Sequence, residues 1–511
     1  MFPIYLLVVG LTATARIPIL LGLAAVLGIL VADGRFDALV DALEGVDFEQ
    51  LDEEGAAPGP APDPESLPPE LEAALLDLLS VEVVGLVGGA VVLSVVVGIV
   101  ARGLSNAAAI NGIYGCLYGG DGVTNAVVGV GRDWRSFVGL SLVRTGVFVV
   151  GLLPVGIGLA VVSVSVVAGT AVTLIGLLLS GGIILIGQLL LAFAAQSLVV
   201  DEVGLGGAIR RSLGVPFARP LAFLAYVVVA LGVFGGLAVL GGVLGSLGVS
   251  QLSGILSSLV AIPFFDAFKT ALYADRPFRS LRGTDDGRES ADIEAVADGG
   301  PEPTSASTDE RPAAHRRFAG AFKNGLAALG GFTVGHPGAV LAATALFAAA
   351  AIGGWQLTAA YALDLPPTED ISEVFGTVPI AAFVTIAANN WLVSATAIYG
   401  GVALGVPTAF DMLLNGFIVG ALAGVIDPTA FAALVGPHGV IELPAIFVAG
   451  GLGFHLAVTV AGVLRGTRTS TELAGTLRLA YRVLLGLAVV LVIAAFIEAF
   501  VTPLVGEAVL A

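Results

Sequence analysis

The sequence predicts an all-α, polytopic membrane protein with about eleven spanning helices, and three observations carry that prediction. Hydrophobic residues make up 57% of the chain and charged residues only 12%, where a soluble domain carries about 25%. A fold this apolar lacks the polar surface to face water. Apolar runs of roughly 20 residues, enough to cross a bilayer core, recur along the whole length. Arg and Lys residues alternate between the loops those runs define. In lipid every backbone donor and acceptor must be satisfied internally, so such runs are helices.

Six runs fall at about 12–32, 83–103, 137–162, 170–200, 220–245 and 250–272, and five more at about 337–360, 377–404, 407–426, 438–464 and 482–505. With the N-terminus in the cytoplasm, Arg102, Arg132, Arg135, Arg210, Arg211, Arg219, Lys269 and the Arg residues from Arg276 to Arg317 lie inside, as do Arg465, Arg468 and Arg478. The loops near 165, 247, 368 and 432 carry no Lys or Arg, and only Arg35 is left outside. One helix more or fewer breaks this alternation, which places the C-terminus outside. Ile17–Ala32 follows Arg16 as a signal-peptide core would, but no small-x-small cleavage site follows it, so the run reads as a retained span.

The net charge is −18, and residues 33–82 alone contribute fifteen acids against one base. Arg outnumbers Lys, of which there are two (Lys269 and Lys323). Acidic loops with a Gly/Ala/Val bias suggest a high-salt organism, read here as a halophilic archaeon. The acidic balance argues against a nucleic-acid partner. A single cysteine, Cys116, excludes an internal disulfide and a cysteine-based zinc site.

Three domains are expected. Residues 1–274 form a six-helix membrane domain with the acidic extracytoplasmic loop 33–82, in which 36–51 and 69–80 have amphipathic helix character. Residues 275–317, rich in Asp, Glu, Pro, Ser, Thr and Gly, form a disordered cytoplasmic linker. Residues 318–511 form a five-helix membrane domain. The first domain offers little chemistry. Arg144 reads as snorkelling to the headgroups, Gln188 and Gln196 as interhelical hydrogen-bond partners, and Asp266 with Lys269 as an interfacial pair. Its six spans are faintly similar to the membrane domain attached to some glycerophosphodiester phosphodiesterases, without that family's active-site residues.

The second half places polar residues inside apolar spans, where they are costly and usually functional. Asn389 and Asn390 lie near the middle of one span, Asp411 and Asn415 share a helix face four residues apart, and so do His438 and Glu442; Glu498 lies among apolar residues in the last span. At about 1.5 Å rise per residue, Glu442 and Glu498 fall toward the outer side, the three Asn near the middle, and Asp411 and His455 toward the inner side. They could line one column. His438 and His455, 17 residues apart, could share a metal only if Pro444 broke the helix or 437–444 were re-entrant. Gly416, Gly420 and Gly424, with Gly401 and Gly405, make small-xxx-small surfaces for helix contact.

An internal Asn-Asn pair, a Gly-rich span through Asn415 and Gly416, then PHGVIELPA at 437–445 and IEAF before Val501-Thr502-Pro503 occur in that order. The order resembles the stage II sporulation protein M family over about 318–505. The resemblance implies a five-helix membrane domain and, in spore-forming bacteria, a membrane scaffold working with peptidoglycan-cutting partners during engulfment. An archaeal member has neither spores nor murein, so the sporulation role does not transfer.

Three functions follow as expectations. The first is a scaffold or assembly factor in the cell membrane, embedded in the lipid bilayer and holding membrane or cell-surface protein partners. The second is a transporter for a small solute or ion, with Asn389, Asn390, Asp411, Asn415, Glu442 and Glu498 along its path. The third is an intramembrane hydrolase using His438 and Glu442. No complete catalytic constellation is present, and neither cofactor nor metal is assigned, because two ligands do not make a zinc site. Asn residues in membrane helices also commonly serve only as hydrogen-bond partners.

Overall fold

A computed structural model describes residues 1–44, 80–275, 314–361 and 379–510, with four further residues between 72 and 76. The expected linker 275–317, apart from its two ends, and most of the acidic loop 33–82 lie outside the described residues. The helices are α1 (Phe2–Ala13), α2 (Ile17–Ala32), α3 (Arg35–Glu44), α4 (Val81–Leu117), α5 (Gly122–Val162), α6 (Val166–Leu190), α7 (Ala194–Val200), α8 (Leu205–Ala218) and α9 (Pro220–Ser246). There follow α10 (Gln251–Leu256), α11 (Ile262–Ala274), α12 (Ala314–Gly335), α13 (Pro337–Thr358), α14 (Ile380–Tyr399), α15 (Val406–Val425), α16 (Pro428–Leu464), α17 (Ser470–Phe496) and α18 (Thr502–Leu510). Among the described residues there is no strand.

Among the described residues eleven helical stretches are long and apolar enough to cross a membrane, and they match the eleven expected runs one for one. Their ends do not match. Helix α4 continues past Gly103 to Leu117, α5 begins at Gly122 and α16 at Pro428. At 37 residues α4 is about 55 Å long, well beyond a hydrocarbon core of about 30 Å. The added parts of α4 and α5 carry polar residues, such as Ser105 and Asn111 on α4 and Arg132 and Asp133 on α5, which interrupt the apolar run without interrupting the helix. Leu178 (80% exposed) and Leu231 (70%) face outward on α6 and α9, as a helix in contact with lipid requires.

The chain divides into two compact units, Ala13–Val100 and a larger one formed by Met1–Thr12 with Ala101–Ala511. In the smaller unit α2 lies along the first part of α4. Gly22 packs against Ala90, and the Ile19 N–H donates to Ser94 Oγ at 3.1 Å. Arg35, the base left outside in the expected topology, is 2.8 Å from Asp33 and 3.9 Å from Glu82.

In the larger unit α1 belongs to the core of the C-terminal helices. Ile4, Tyr5, Leu6, Leu7 and Leu11 share one buried cluster with Ile398, Tyr399, Leu452, Leu477 and Leu484. Gly10 lies on Tyr399, where a Cβ would come within 2.6 Å of that residue's carbonyl. The Tyr5 hydroxyl donates to Asp266 at 2.8 Å, and Lys269 sits 3.6 Å from the same carboxylate. Arg478 of α17 reaches both Asp121 and Thr124 at the start of α5. The Thr124 hydroxyl, with Arg478 beside it, holds the Asp121 carboxyl below its ordinary value.

Helix α12 is an element that hydropathy does not reveal. It packs on α17 through paired glycines, and a Cβ on Gly325 would lie 2.7 Å from the Gly486 nitrogen. Helix α16 forms the centre of the C-terminal bundle, with Ala449, Leu452 and Leu456 fully buried. It starts at an acidic cap, where Asp427 accepts from the N–H groups of Thr429 at 2.8 Å and Ala430 at 3.1 Å. The Ala430 and Thr429 N–H groups hold the Asp427 carboxyl below its ordinary value. The stabilisation is therefore full above the usual carboxylate range and is lost as pH falls through the lowered value. Asp427→Asn keeps a capping acceptor but removes the titration. Its melting temperature should consequently fall less on acidification than that of the native chain; equal slopes would contradict this role.

Candidate functional site

The site is built where α16 meets the last span. Proline at position i removes a backbone donor and crowds the carbonyl of i−4, and Pro437 and Pro444 do so inside α16. The helix nevertheless runs unbroken from Pro428 to Leu464. There is therefore no re-entrant turn at 437–444, and His438 and His455 stay roughly 25 Å apart. His438 and Glu442 project from one face between the two prolines.

The third member comes from a widened turn. Ile497–Val501 forms a π turn between α17 and α18, closed by the Thr502 N–H on the Ile497 carbonyl. A second π turn, Ser257–Ala261, is closed in the same way by Ile262 on Ser257. Each turn ends two residues before a proline, Pro503 and Pro263 respectively. The wider turn relieves the clash between the ring and the preceding turn. Glu498 is the second residue of the turn at Ile497–Val501.

One imidazole nitrogen of His438, one carboxylate oxygen of Glu442 and one of Glu498 lie within 4.8 Å of one another. All three residues are half-buried. Glu442 Oε2 is buried with no hydrogen-bond partner. His438 Nδ1 lies 3.5 Å from the hydroxyl of Thr502, which is 1% exposed. Among the described residues no Arg or Lys pairs with either carboxylate.

The other sequence-selected polar residues do not join this group. Asn389 is exposed and its amide donates to Asn390 Oδ1 at 3.4 Å. Asn415 Nδ2 donates to the Asp411 carbonyl of its own helix at 2.8 Å, and Asp411 itself is half-buried on α15. The expected column therefore breaks into separate places. His455 pairs with His336, ring centroids 4.3 Å apart, and Phe332 stacks on His336 at 4.7 Å. His336 is missed by reasoning from span positions, because it precedes Pro337 between α12 and α13. Its signal in the sequence is a His-Pro step between two apolar segments.

The glycines act as helix contacts, though not all in the expected form. A Cβ on Gly416, Gly420 or Gly424 would overlap the backbone of Phe347, the backbone of Ala351 or the Thr358 hydroxyl on α13. Gly401 and Gly405 are not on a regular helix. They flank a turn in which Leu404 (φ 58°) and Gly405 (φ 79°) are left-handed, and each approaches α16, at Gly453 and Ala457. The turn is pinned by Thr408, whose hydroxyl donates to the Ala397 carbonyl at 2.7 Å.

In the N-terminal helices Arg144 donates to the Leu191 carbonyl at 2.9 Å, and Gln188 to the Arg144 carbonyl at 3.4 Å. Both amide atoms of Gln196 are buried without partners. A network absent from sequence reasoning joins Asp201 to Arg211 at 2.6 Å and to the Tyr273 hydroxyl at 2.5 Å.

Eleven apolar helices and a helical core without strands among the described residues define a polytopic α-helical membrane protein. The family model of stage II sporulation protein M matches residues 342–503, and the chain belongs to that family through its C-terminal half. It is similar to an uncharacterised protein of Methanocaldococcus jannaschii, 30% identical over 126 residues that cover 24% of this chain and 71% of that protein. No solved structure matches the chain.

Proposed function

We propose that the protein is a scaffold of the cell membrane, holding membrane or cell-surface protein partners in fixed register and performing no chemistry of its own. The observation that carries this reading is the insertion of α1 into the core of the family bundle. A scaffold needs a set geometry between the parts that present partners. Residues 1–12, and Arg478 on Asp121 and Thr124, supply it within the larger unit by tying α1 and α5 to the bundle. The glycine contacts of α15 on α13 favour a rigid framework over helices that slide. Asn389, Asn390 and Asn415, spent on local hydrogen bonds, weigh against a continuous transport path. The sporulation role of the family is not carried over.

Transport and intramembrane hydrolysis rest on one observation, the meeting of His438, Glu442 and Glu498. The test separates them from the scaffold. The scaffold reading expects its partners on the acidic loop 33–82, so replacing residues 45–71 with a neutral Gly/Ser linker should abolish cross-linking to membrane partners in the native host. Saturable cation flux in proteoliposomes, lost in Glu442→Gln, would overturn the scaffold reading.

A further inference from the structure

We propose that His438, Glu442 and Glu498 bind a single divalent transition-metal ion of the zinc or manganese kind inside the bilayer. This goes beyond the scaffold reading and stands or falls separately from it. Three observations point the same way. The donors are one imidazole nitrogen and two carboxylate oxygens, all within 4.8 Å of one another. Glu442 Oε2 is buried and has no hydrogen-bond partner. No Arg or Lys among the described residues neutralises the pair of acids.

Charge decides what can sit there. Two carboxylates at membrane depth are each costly to ionise and repel one another at this separation. A divalent ion makes the assembly neutral and satisfies the orphaned oxygen in one step. The imidazole then decides the class of ion. Mg²⁺ and Ca²⁺ are hard ions that take oxygen ligands, whereas mixed imidazole and carboxylate donors suit zinc, manganese and iron(II). Three protein ligands leave a further coordination position open, as in zinc sites that keep a bound water.

The geometry needs a small closure. Ligand bonds of about 2.1 Å in a tetrahedral site place the ligand atoms roughly 3.4 Å apart, against up to 4.8 Å here. Side-chain rotation of the glutamates covers that difference without moving a helix. Thr502, 3.5 Å from His438 Nδ1, is placed to orient the ring as outer-shell partners of metal-bound histidines do. Glu498 belongs to the π turn at Ile497–Val501, and such turns are frequent at functional sites. The second imidazole locus, His336 with His455, belongs to no such donor cluster among the described residues and serves as the control.

The full chain, purified in detergent with a tag free of histidine, would be titrated with Co²⁺ and followed by its visible ligand-field absorption. We expect one Co²⁺ per chain, displaced by equimolar Zn²⁺ but not by Mg²⁺. Glu442→Gln and Glu498→Gln should each weaken binding by more than the roughly 10–100-fold that follows loss of an outer-shell partner, while His336→Ala leaves it unchanged. Absence of stoichiometric Co²⁺ uptake by the native chain would overturn the proposal without any variant. So would uptake undiminished in both glutamine variants, or uptake abolished by His336→Ala.

Discussion

Gly420→Val should destabilise the protein by about 3 kcal/mol, the upper end of what overpacking commonly costs, whereas Gly353→Ala should leave it unchanged or slightly more stable. The reason lies in which atoms meet. Gly416, Gly420 and Gly424 recur every four residues along α15, and the atoms facing the first two are backbone atoms of Phe347 and Ala351 on α13. From the other side Gly354 faces the Phe417 carbonyl on α15. A side chain at any of these glycines meets a carbonyl that no rotamer change can move, so the helices must separate along their length. Lipid tails are as apolar as the side chains they would replace, so close approach of backbones is what holds such a pair together. Gly353, one residue from Gly354 on the same helix, faces open space, and alanine there gains the helix propensity that glycine lacks, about 0.5–1 kcal/mol. Thermal melts of the two variants in one detergent check the contrast. Equal melting temperatures would mean that the α13–α15 contact does not carry the bundle.

Gly10→Leu should release α1 from the bundle and expose the N-terminus to protease, at a cost of roughly 3 kcal/mol. A Cβ at position 10 would meet the Cβ and the backbone of Tyr399, a residue that is itself fully buried. Tyr5→Phe is the milder partner of this test. It removes the hydroxyl that donates to Asp266 at 2.8 Å and leaves Lys269, 3.6 Å away, as that carboxylate's companion. Loss of one partner from a half-buried charge costs about 1–3 kcal/mol. The two changes act on one helix through different neighbours, so protease sensitivity should rise strongly in the first and modestly in the second. Unchanged sensitivity in Gly10→Leu would show that α1 is not held by the bundle.

The spans were legible because lipid leaves the backbone no alternative to helix, so each apolar run could be read by length alone. Helix ends were not legible, since α4 and α5 continue as helices through polar residues such as Asn111 and Asp133 that break the apolar run, and α16 starts at Pro428, ahead of the two prolines that read as its boundary. Helix α12 was missed because its apolar residues form one stripe facing α17, with no continuous run. The pairing of His438 with Glu442 follows from a spacing of four residues. Glu498 lies in the π turn, whose sequence signal is Pro503, two residues beyond the turn's end. Adjacent residues on a helix point about 100° apart, which is why Asn389 and Asn390 could not both line one column. The insertion of α1 left no periodic trace, because Ile4, Tyr5, Leu6 and Leu7 form a solid apolar run that reads equally well as lipid-facing.

That insertion is tested most directly by cross-linking in native membranes. Phe2 and Tyr481 stack with ring centroids 6.4 Å apart. Cysteines at these two positions, in a chain whose Cys116 is replaced by alanine, should be joined within one polypeptide by a short bifunctional thiol reagent, and the linked peptides should be recovered by mass spectrometry. If both cysteines react fully with a monofunctional reagent but never with each other, α1 is not part of the family bundle, and the reading of the larger unit as one tied framework fails.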